Sequence, residues 1–309
     1  MLPDETVRTT TRHRASSIQH PASSITPKMP VMSSPESSHY TKPIIEEGDV
    51  IVLWTSDNRS RTVRVLANVN HQTHLGDLAL KELIGRQVGC RFDLQKGWGL
   101  ALPPALEDRI RVIRRNTNIL YPKDIGIILM KLVIGPGSRV IELGTGSAAM
   151  TSALAYTVSP GGTVHSFDIC EDYLKPAEKN FRRSGVISNV EFDIREPATP
   201  LQLEPVHSIV MDIPEPWTEI EVVTNVLVKG GRLVSLNPTY NQIEKMAKAM
   251  EQQGYILIEC METIFRHIVP VEGRVRPSKI PVPHTEFMLF GTKSGEEISE
   301  ETEQYYSER

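Results

Sequence analysis

One stretch of this chain, RVIELGTGS at Arg139 to Ser147, constrains the fold more than any other. The apolar run that begins at Val140 is typical of a strand that is buried on both faces of a parallel sheet. The run breaks at Gly144 and Gly146, where the strand must turn sharply into a helix. Because glycine lets the backbone come close to a ligand, this turn predicts a binding site for a nucleotide-containing cofactor.

Strands and helices alternate after this turn. The predicted strands are 163–168, 190–193, 208–211, 232–236, 255–259 and 286–291, and the predicted helices are 122–134, 148–158, 171–183, 217–228 and 241–253. Asp168 ends its strand about 20 residues after the glycines, where an acid holds ribose hydroxyls. Asp193 and Asp212 end two further strands. Since ligands of open α/β sheets lie beyond the carboxyl ends of the strands, we expect these acids to meet at one crevice.

The glycine spacing alone leaves two classes of enzyme open. A dinucleotide fingerprint accepts glycine or alanine at its third position, here Ala149, so an NAD-dependent dehydrogenase is not excluded. Glu142, two residues before the first glycine, resembles the arrangement in S-adenosylmethionine-dependent methyltransferases. Seven strands with a late hairpin also resemble methyltransferases and not dehydrogenases. We therefore predict an α/β fold with a seven-stranded Rossmann-like methyltransferase sheet and helices on both faces.

Composition predicts how the rest of the chain is organised. Residues 1–43 are rich in Ser, Thr, Pro and His and poor in aliphatic residues, which predicts a disordered tail. Residues 44–105 contain short alternating runs with turn signals, which predict a small N-terminal all-β domain. This domain either grips a substrate or serves packing and oligomerisation. Residues 106–293 are predicted to form the methyltransferase domain, and residues 294–309 an acidic mobile tail.

Other features concern compartment and partners. Apolar runs fall short of the roughly 20 residues that a membrane span needs. The three cysteines lack metal-ligand spacing, so we predict reduced thiols, no metal site and a cytoplasmic protein. With a net charge of −4, affinity for nucleic acid must come from local patches. One such patch is the stretch from Arg109 to Lys123, which contains five cations and no acid and suits either phosphate contacts or a solvated helix face. A second lies in the Pro-rich loop around Arg274 and Arg276.

Four segments together resemble one family. They are Arg114-Arg115 with Tyr121-Pro122-Lys123-Asp124, Gly144-Thr145-Gly146-Ser147, Asp212-Ile213-Pro214-Glu215-Pro216-Trp217, and Val275-Arg276-Pro277 with His284-Thr285. Over about residues 45–293 the chain resembles the S-adenosylmethionine-dependent tRNA (adenine-N1) methyltransferases that modify the T-loop adenosine. The resemblance implies S-adenosylmethionine as cofactor, tRNA as substrate and a homotetrameric assembly.

The resemblance also implies roles for individual residues. The implied cofactor-binding residues are Gly144, Thr145, Gly146, Ser147, Ala148, Asp168, Tyr173, Asp193 and Asp212. The substrate-binding candidates are Arg114, Arg115, Arg274, Arg276 and His284. Asp212 is implied as the residue closest to the chemistry. We hypothesise that the target base is flipped into the crevice, and that Asp212 accepts a hydrogen bond from the exocyclic amine of the adenine.

Two positions depart from the family pattern and keep alternatives open. Ala148 stands where the family usually has glycine, and Leu236 stands where an aromatic residue usually precedes Asn237-Pro238. The extra methyl group of Ala148 either crowds the cofactor or is tolerated at the helix start, and the loss of the aromatic ring predicts weaker stacking on the target base. The alternatives are a protein or small-molecule methyltransferase and a non-catalytic RNA-binding partner that keeps the fold.

Overall fold

The computed structural model describes residues 43–114, 119–186, 188–278 and 284–296. These residues belong to one compact unit, His39–Arg309, while the other unit, Met1–Ser38, lies outside the described residues. The predicted disordered tail and most of the predicted acidic tail also lie outside them. Among the described helices, none combines the length and the apolar character that crossing a membrane requires.

The first part of the described chain forms a small antiparallel sheet and a hairpin. Its strands are β1 (Val50–Thr55), β2 (Arg59–Arg64), β3 (Asn70–Thr73), β4 (Gly76–Ala79), β5 (Arg91–Leu94) and β6 (Gly97–Leu102). Four of them pair in the order β2-β1-β6-β5, and β3 pairs with β4. Ile51, Leu53 and Phe92 pack in a core of their own. The boundaries proposed for a separate domain here stay a prediction.

The second part contains the central sheet. Its strands are β7 (Arg139–Leu143), β8 (Thr163–Asp168), β9 (Asn189–Ile194), β10 (Val206–Met211), β11 (Leu227–Asn237), β12 (Tyr255–Met261), β13 (Ile268–Val269), β14 (Arg276–Pro277) and β15 (Phe287–Lys293). Seven strands pair in the order β12-β15-β11-β10-β7-β8-β9, and β13 pairs with β14. The five neighbouring strands β9, β8, β7, β10 and β11 run parallel to one another. Strand β15 is antiparallel to both of its neighbours, β11 and β12. The predicted sheet with its late hairpin is confirmed.

Helices cover both faces of this sheet. They are α1 (Leu106–Arg111), α2 (Pro122–Lys131), α3 (Ala149–Val158), α4 (Glu171–Ser184), α5 (Ile220–Val226) and α6 (Tyr240–Gln252). Alternation along β7 separates two cores, because successive strand residues point to opposite faces. Val140 packs with residues of α2 and α3, and Ile141 packs with residues of α5 and α6.

One predicted helix, 217–228, is confirmed in its middle and wrong at both ends. The range 217–228 contains the end of a short 3-10 turn, Pro216–Thr218, and then α5, while β11 already begins at Leu227. The pairing of β10 shifts from Val206–Leu227 to Ser208–Arg232, so the turn at Lys229 to Gly231 loops out of the ladder. The run of valines before this turn fits a strand better than a helix end.

Candidate active site

A cavity of about 790 Å³ lies at the carboxyl ends of the parallel strands. This is where the strand order reverses between β7 and β10, the usual ligand position in open α/β sheets. Its walls come from the glycine turn, from the ends of β8 and β10 and from two distant segments. Of the residues predicted from the sequence, Gly144, Gly146, Asp168, Tyr173 and Asp212 line it. The size is that of pockets that hold a cofactor or drug-sized ligand.

Gly144 and Asp212 come into direct backbone contact. The amide of Asp212 donates a hydrogen bond to the carbonyl of Leu143, with 2.8 Å between nitrogen and oxygen. Gly144 has a φ of +94°, and a Cβ added there would overlap the backbone carbonyl of Asp212. Glycine is therefore required at this position both for its backbone angle and for the close approach of the two strand ends.

Asp168 holds the glycine turn from the neighbouring strand. Its Oδ2 accepts a hydrogen bond from the amide of Gly146 at 3.1 Å, and its Oδ1 accepts one from the amide of Ile169 at 2.8 Å. Gly146 has a φ of +52°, which points its amide at this carboxylate. Since a carboxylate offers about four acceptor sites, Asp168 retains capacity for a hydroxyl donor from a ligand.

A buried acid lies beneath the turn. Glu142 is 1 % exposed, and its Oε2 accepts hydrogen bonds of 2.6 Å from both Thr151 and Ser166. The Ser166 hydroxyl also pairs with that of Thr145 at 2.7 Å, so the network reaches the turn itself. Burial raises the pKa of Glu142 to about 8, against the opposing effect of the two hydroxyl donors. Glu142 is therefore mostly protonated at neutral pH.

A second acid, Glu286, faces the cavity together with Asp212. Asp212 is exposed to the cavity, but many protein atoms surround its carboxyl group. This burial raises the pKa of Asp212 to about 6. The negative charge of Glu286 raises the pKa of Asp212 further. Oε2 of Glu286 is buried without a hydrogen-bond partner among the described residues. Burial raises the pKa of Glu286 too. Sequence reasoning missed this residue.

A buried ion pair fixes the segment that carries Glu286. Lys123 donates from Nζ to both carboxylate oxygens of Asp124, at 2.8 and 2.9 Å, and to the hydroxyl of Thr285 at 2.7 Å. Thr263 and Thr285 each donate to Asp124 in turn. This cluster, which we call the lysine clamp, joins the start of α2 to the chain on both sides of β13 and β14. Lys123 is thus wrong as a phosphate-binding candidate, since its ammonium group is enclosed.

A second buried ion pair, between Arg195 and Glu219, lines the cavity and was not predicted from the sequence. Arg195 donates to Oε2 of Glu219 at 2.7 Å, and the two side chains are 8 % and 3 % exposed. Oε1 of Glu219 accepts the amide of Ala198 at 2.6 Å. The pair holds the loop after β9 against the start of α5.

Four of the predicted cofactor-binding residues do not line the cavity: Thr145, Ser147, Ala148 and Asp193. Thr145 and Ser147 are buried in the turn. Asp193 is exposed, and its Oδ1 accepts the amide of the next residue, Ile194, at 2.8 Å. Its predicted contact with the cofactor adenine stays a prediction.

The two residues that depart from the family pattern, Ala148 and Leu236, are buried and do not line the cavity. Ala148 is fully buried at the start of α3 with a φ of +62°, so the helix start accommodates the methyl group in a backbone conformation that glycine adopts more easily. Leu236 is 2 % exposed and packs in the core on the α2 and α3 face of the sheet. Neither residue lines the cavity, so neither narrows it directly.

The substrate-binding candidates among the described residues do not line the cavity. Arg114, Arg274 and Arg276 are exposed, and Arg115 lies outside the described residues. His284 pairs with Glu262 at 2.8 Å and stacks on the ring of Phe287. In the basic stretch, Arg109 donates to the backbone carbonyls of Ser184 and Gly185, so this cation is structural.

Known proteins share this architecture. The structure is similar to an S-adenosylmethionine-dependent O-methyltransferase of Thermotoga maritima, with a TM-score of 0.75, 32 % identity and coverage of 83 % of this chain and 97 % of that one. It is also similar to the tRNA (m1A58) methyltransferase TrmI of Aquifex aeolicus, with a TM-score of 0.69, 28 % identity and coverage of 82 % and 100 %.

Sequence comparisons agree with the structural ones. The chain is 29 % identical over 270 residues to the tRNA (adenine(57)-N(1)/adenine(58)-N(1))-methyltransferase TrmI of Methanocaldococcus jannaschii, covering 79 % of this chain and 96 % of that protein. The profile of the family described as the GCD14 subunit of the tRNA methyltransferase complex matches residues 97–301, more than half of the chain. The chain therefore belongs to this family of tRNA methyltransferase subunits, and the prediction that it is an enzyme is confirmed.

Proposed function

We propose that this protein methylates N1 of the T-loop adenosine of tRNA, at the position named in its relatives. The observation that carries the proposal is the contact between Asp212 and Gly144, which unites a cofactor turn and a reactive carboxylate in one cavity. S-adenosylmethionine is the methyl donor. The protein acts in the cytoplasm, as a homotetramer.

The residues of the cavity fit this donor. Gly144 and Gly146 line the cavity at the turn, Asp168 keeps free acceptor capacity for the ribose hydroxyls, and Tyr173 offers an exposed ring on the same cavity wall. When bound, S-adenosylmethionine supplies a methyl group on a positively charged sulfur, and transfer leaves that charge on the methylated base.

Asp212 and Glu286 prepare the other half of the cavity for the base. Adenine N1 carries a lone pair in the neutral base, so positioning contributes most of the rate, with effective molarities of about 10⁵ M in well-aligned cases. Asp212 accepts a hydrogen bond from the exocyclic amine and thereby fixes the ring. Because both carboxylates line the cavity where positive charge develops, they stabilise the charged product-like transition state.

The target nitrogen is hidden in a folded T-loop, so the base must leave its stack to enter the cavity. We assign this entry to the wall that contains Tyr121 and Thr285, because both residues line the cavity and belong to segments outside the sheet. Arg114, Arg274 and Arg276 are exposed, which supports a role for them in holding phosphates of the tRNA around the extruded base.

A direct experiment tests the activity. The protein is incubated with S-adenosylmethionine carrying a labelled methyl group and with an unmodified tRNA transcript, and the product is mapped by mass spectrometry. We expect label on N1 of the T-loop adenosine, and its loss in Asp212→Ala. Methylation at another atom, or an Asp212→Ala variant as fast as the wild type, contradicts the proposal.

A further inference from the structure

A second cavity, of about 530 Å³, opens on the small antiparallel sheet. It is bounded by the ends of β1 and β2 and by the segment from His71 to His74. None of its lining residues also lines the cavity beside the glycine turn. The cavity is thus a separate feature with its own chemistry.

Two arginines point into this cavity from one face of the sheet. In the antiparallel ladder Arg59 lies opposite Thr55 and Arg61 lies opposite Leu53. Directly opposed residues share a face, and residues two apart on a strand share it as well, so both arginines stand side by side over Thr55 and Leu53. Leu53 and Thr55 are buried, and this face continues into the apolar core. Alternation alone would place apolar side chains at both arginine positions.

The positive charges of the two arginines in this cavity have few acidic partners. Arg59 has one acidic neighbour, Asp57, at 3.4 Å, and both side chains of this pair reach solvent. For Arg61 no acidic side chain of the described residues lies within ion-pair distance. The lining hydroxyls of Thr55 and Thr73 already donate within the protein, to Asp57 and to the carbonyl of Gly76. The other polar groups of the lining, which can donate hydrogen bonds to a ligand, belong to Ser60, His71, Gln72 and His74.

His71 adds a second sign of a missing partner. Its Nε2 is buried and has no hydrogen-bond partner among the described residues. Burial lowers the pKa of His71, and the charge of Arg61 lowers it further, so the imidazole is neutral at neutral pH. A buried polar atom without a partner costs about 1 to 3 kcal/mol, and a ligand oxygen would recover this cost if the side chains that cover Nε2 move aside.

We infer that this cavity binds a backbone phosphate group of RNA through Arg59 and Arg61. A guanidinium fork matches two phosphate oxygens, and two adjacent forks with hydroxyl and amide donors form a site for a tetrahedral anion. RNA is the occupant favoured by the proposed function, on which this inference rests for its choice of ligand. The cavity positions tRNA away from the reacting base and takes no part in the chemistry.

The test compares Arg61→Ala with a matched charge removal. Lys81→Ala removes one exposed cation from the same part of the chain, outside the cavity. Affinity for an unmodified tRNA transcript is measured by fluorescence titration between about 50 and 200 mM salt, where one phosphate contact changes log K by about 0.9 per decade of salt. We expect Arg61→Ala to weaken binding about five- to tenfold at 100 mM salt and to lower the salt slope by about one.

The companion readouts separate binding from catalysis and folding. Arg61→Ala should raise KM for tRNA and leave kcat at saturating tRNA unchanged. Arg61→Lys keeps the charge, so it should retain the salt slope while losing part of the affinity. Near-ultraviolet circular dichroism checks that each variant folds, and if Arg61→Ala does not, Arg61→Lys and Arg59→Ala carry the test.

Three outcomes overturn the inference. One is equal loss of affinity in Arg61→Ala and Lys81→Ala. Another is unchanged tRNA affinity with new self-association, which would make these arginines guards of the β2 sheet edge. The third is an effect of inorganic phosphate on the nuclear magnetic resonance signals of His71 and His74 while tRNA affinity stays the same, which would assign the site to a free anion. If tRNA binds in an Arg61-dependent manner but is not methylated, the proposed function fails and this site stands.

Discussion

The rate of methyl transfer should depend on the ionisation of Asp212, and Glu286 should set the pH at which this occurs. Burial and the charge of Glu286 raise the pKa of Asp212 to about 6 from its ordinary value of 3.8. If the ionised carboxylate orients the adenine, kcat/KM falls below pH 6, and at pH 5 about a tenth of the enzyme is active. A carboxylate with an ordinary pKa would be almost fully ionised there.

Glu286→Gln tests the source of this shift. Removing the negative charge lowers the pKa of Asp212, so the acid limb of the pH profile moves to lower pH. The plateau should also fall about tenfold, because one of two carboxylates that face the developing charge is lost. Asp124 raises and His284 lowers the pKa of Glu286, and the charge of Asp212 in turn raises the pKa of Glu142 beneath the turn.

The measurement is kcat/KM with labelled donor at limiting tRNA, from about pH 4.5 to about pH 8.5. Glu244→Gln, which neutralises an exposed acid on α6 outside the cavity, is the control and should keep the wild-type profile. Donor affinity measured at the same pH values separates loss of binding from loss of chemistry. A Glu286→Gln profile that coincides with the wild type, or moves to higher pH, refutes the reasoning.

Four further predictions concern stability and binding. Gly144→Ala places a methyl group on the carbonyl of Asp212, so calorimetry should detect no donor binding and unfolding should become easier by about 1 to 3 kcal/mol. Asp212→Asn should raise Tm at pH 7 while abolishing activity, because a carboxyl whose pKa is raised in the folded state destabilises it once ionised. Glu219→Ala leaves the buried Arg195 unpaired and should cost about 3 to 5 kcal/mol in urea unfolding. The pKa of Glu142 is raised from 4.5 to about 8, so the folded state binds more protons in that window and the free energy of unfolding should fall from pH 6 to pH 9; Glu142→Gln should show less of this decline.

The sequence predicted the half of the site that local pattern determines. An apolar run followed by glycine, and strands that end at Asp168 and Asp212, are short-range signals, and the sheet topology then brings these ends together. The range of β8 was predicted without error, Thr163–Asp168. The helix expected at 217–228 is confirmed over Ile220–Val226, but its C-terminal end was wrong because a valine-rich run before a glycine turn fits both a helix end and a strand start.

The other half of the site depends on contacts that no local pattern reveals. Lys123 and Thr285 are 162 positions apart, yet Nζ of one donates to the hydroxyl of the other. The Tyr121 to Asp124 and His284-Thr285 segments were recognised as motifs, but only the fold reveals that they meet. Glu286 has no periodic or spacing signal at all. Its role follows from a neighbour, Asp212, that is distant in sequence.

The glycine turn and the segment that carries Glu286 are held in place by different contacts. The donor half is fixed by strand ends and backbone hydrogen bonds, such as that from Gly146 to Asp168, which belong to the core of the sheet. Asp212 follows the parallel strand β10 and is bonded to the glycine turn, whereas Glu286 lies on a segment outside the parallel strands that the lysine clamp fixes. Because the clamp is buried and fully paired, loosening it would move Glu286 while leaving the glycine turn in place. The glycine turn and Glu286 are therefore held by separate structural elements, and under the proposed function damage to the clamp should impair methyl transfer before it impairs the binding of S-adenosylmethionine.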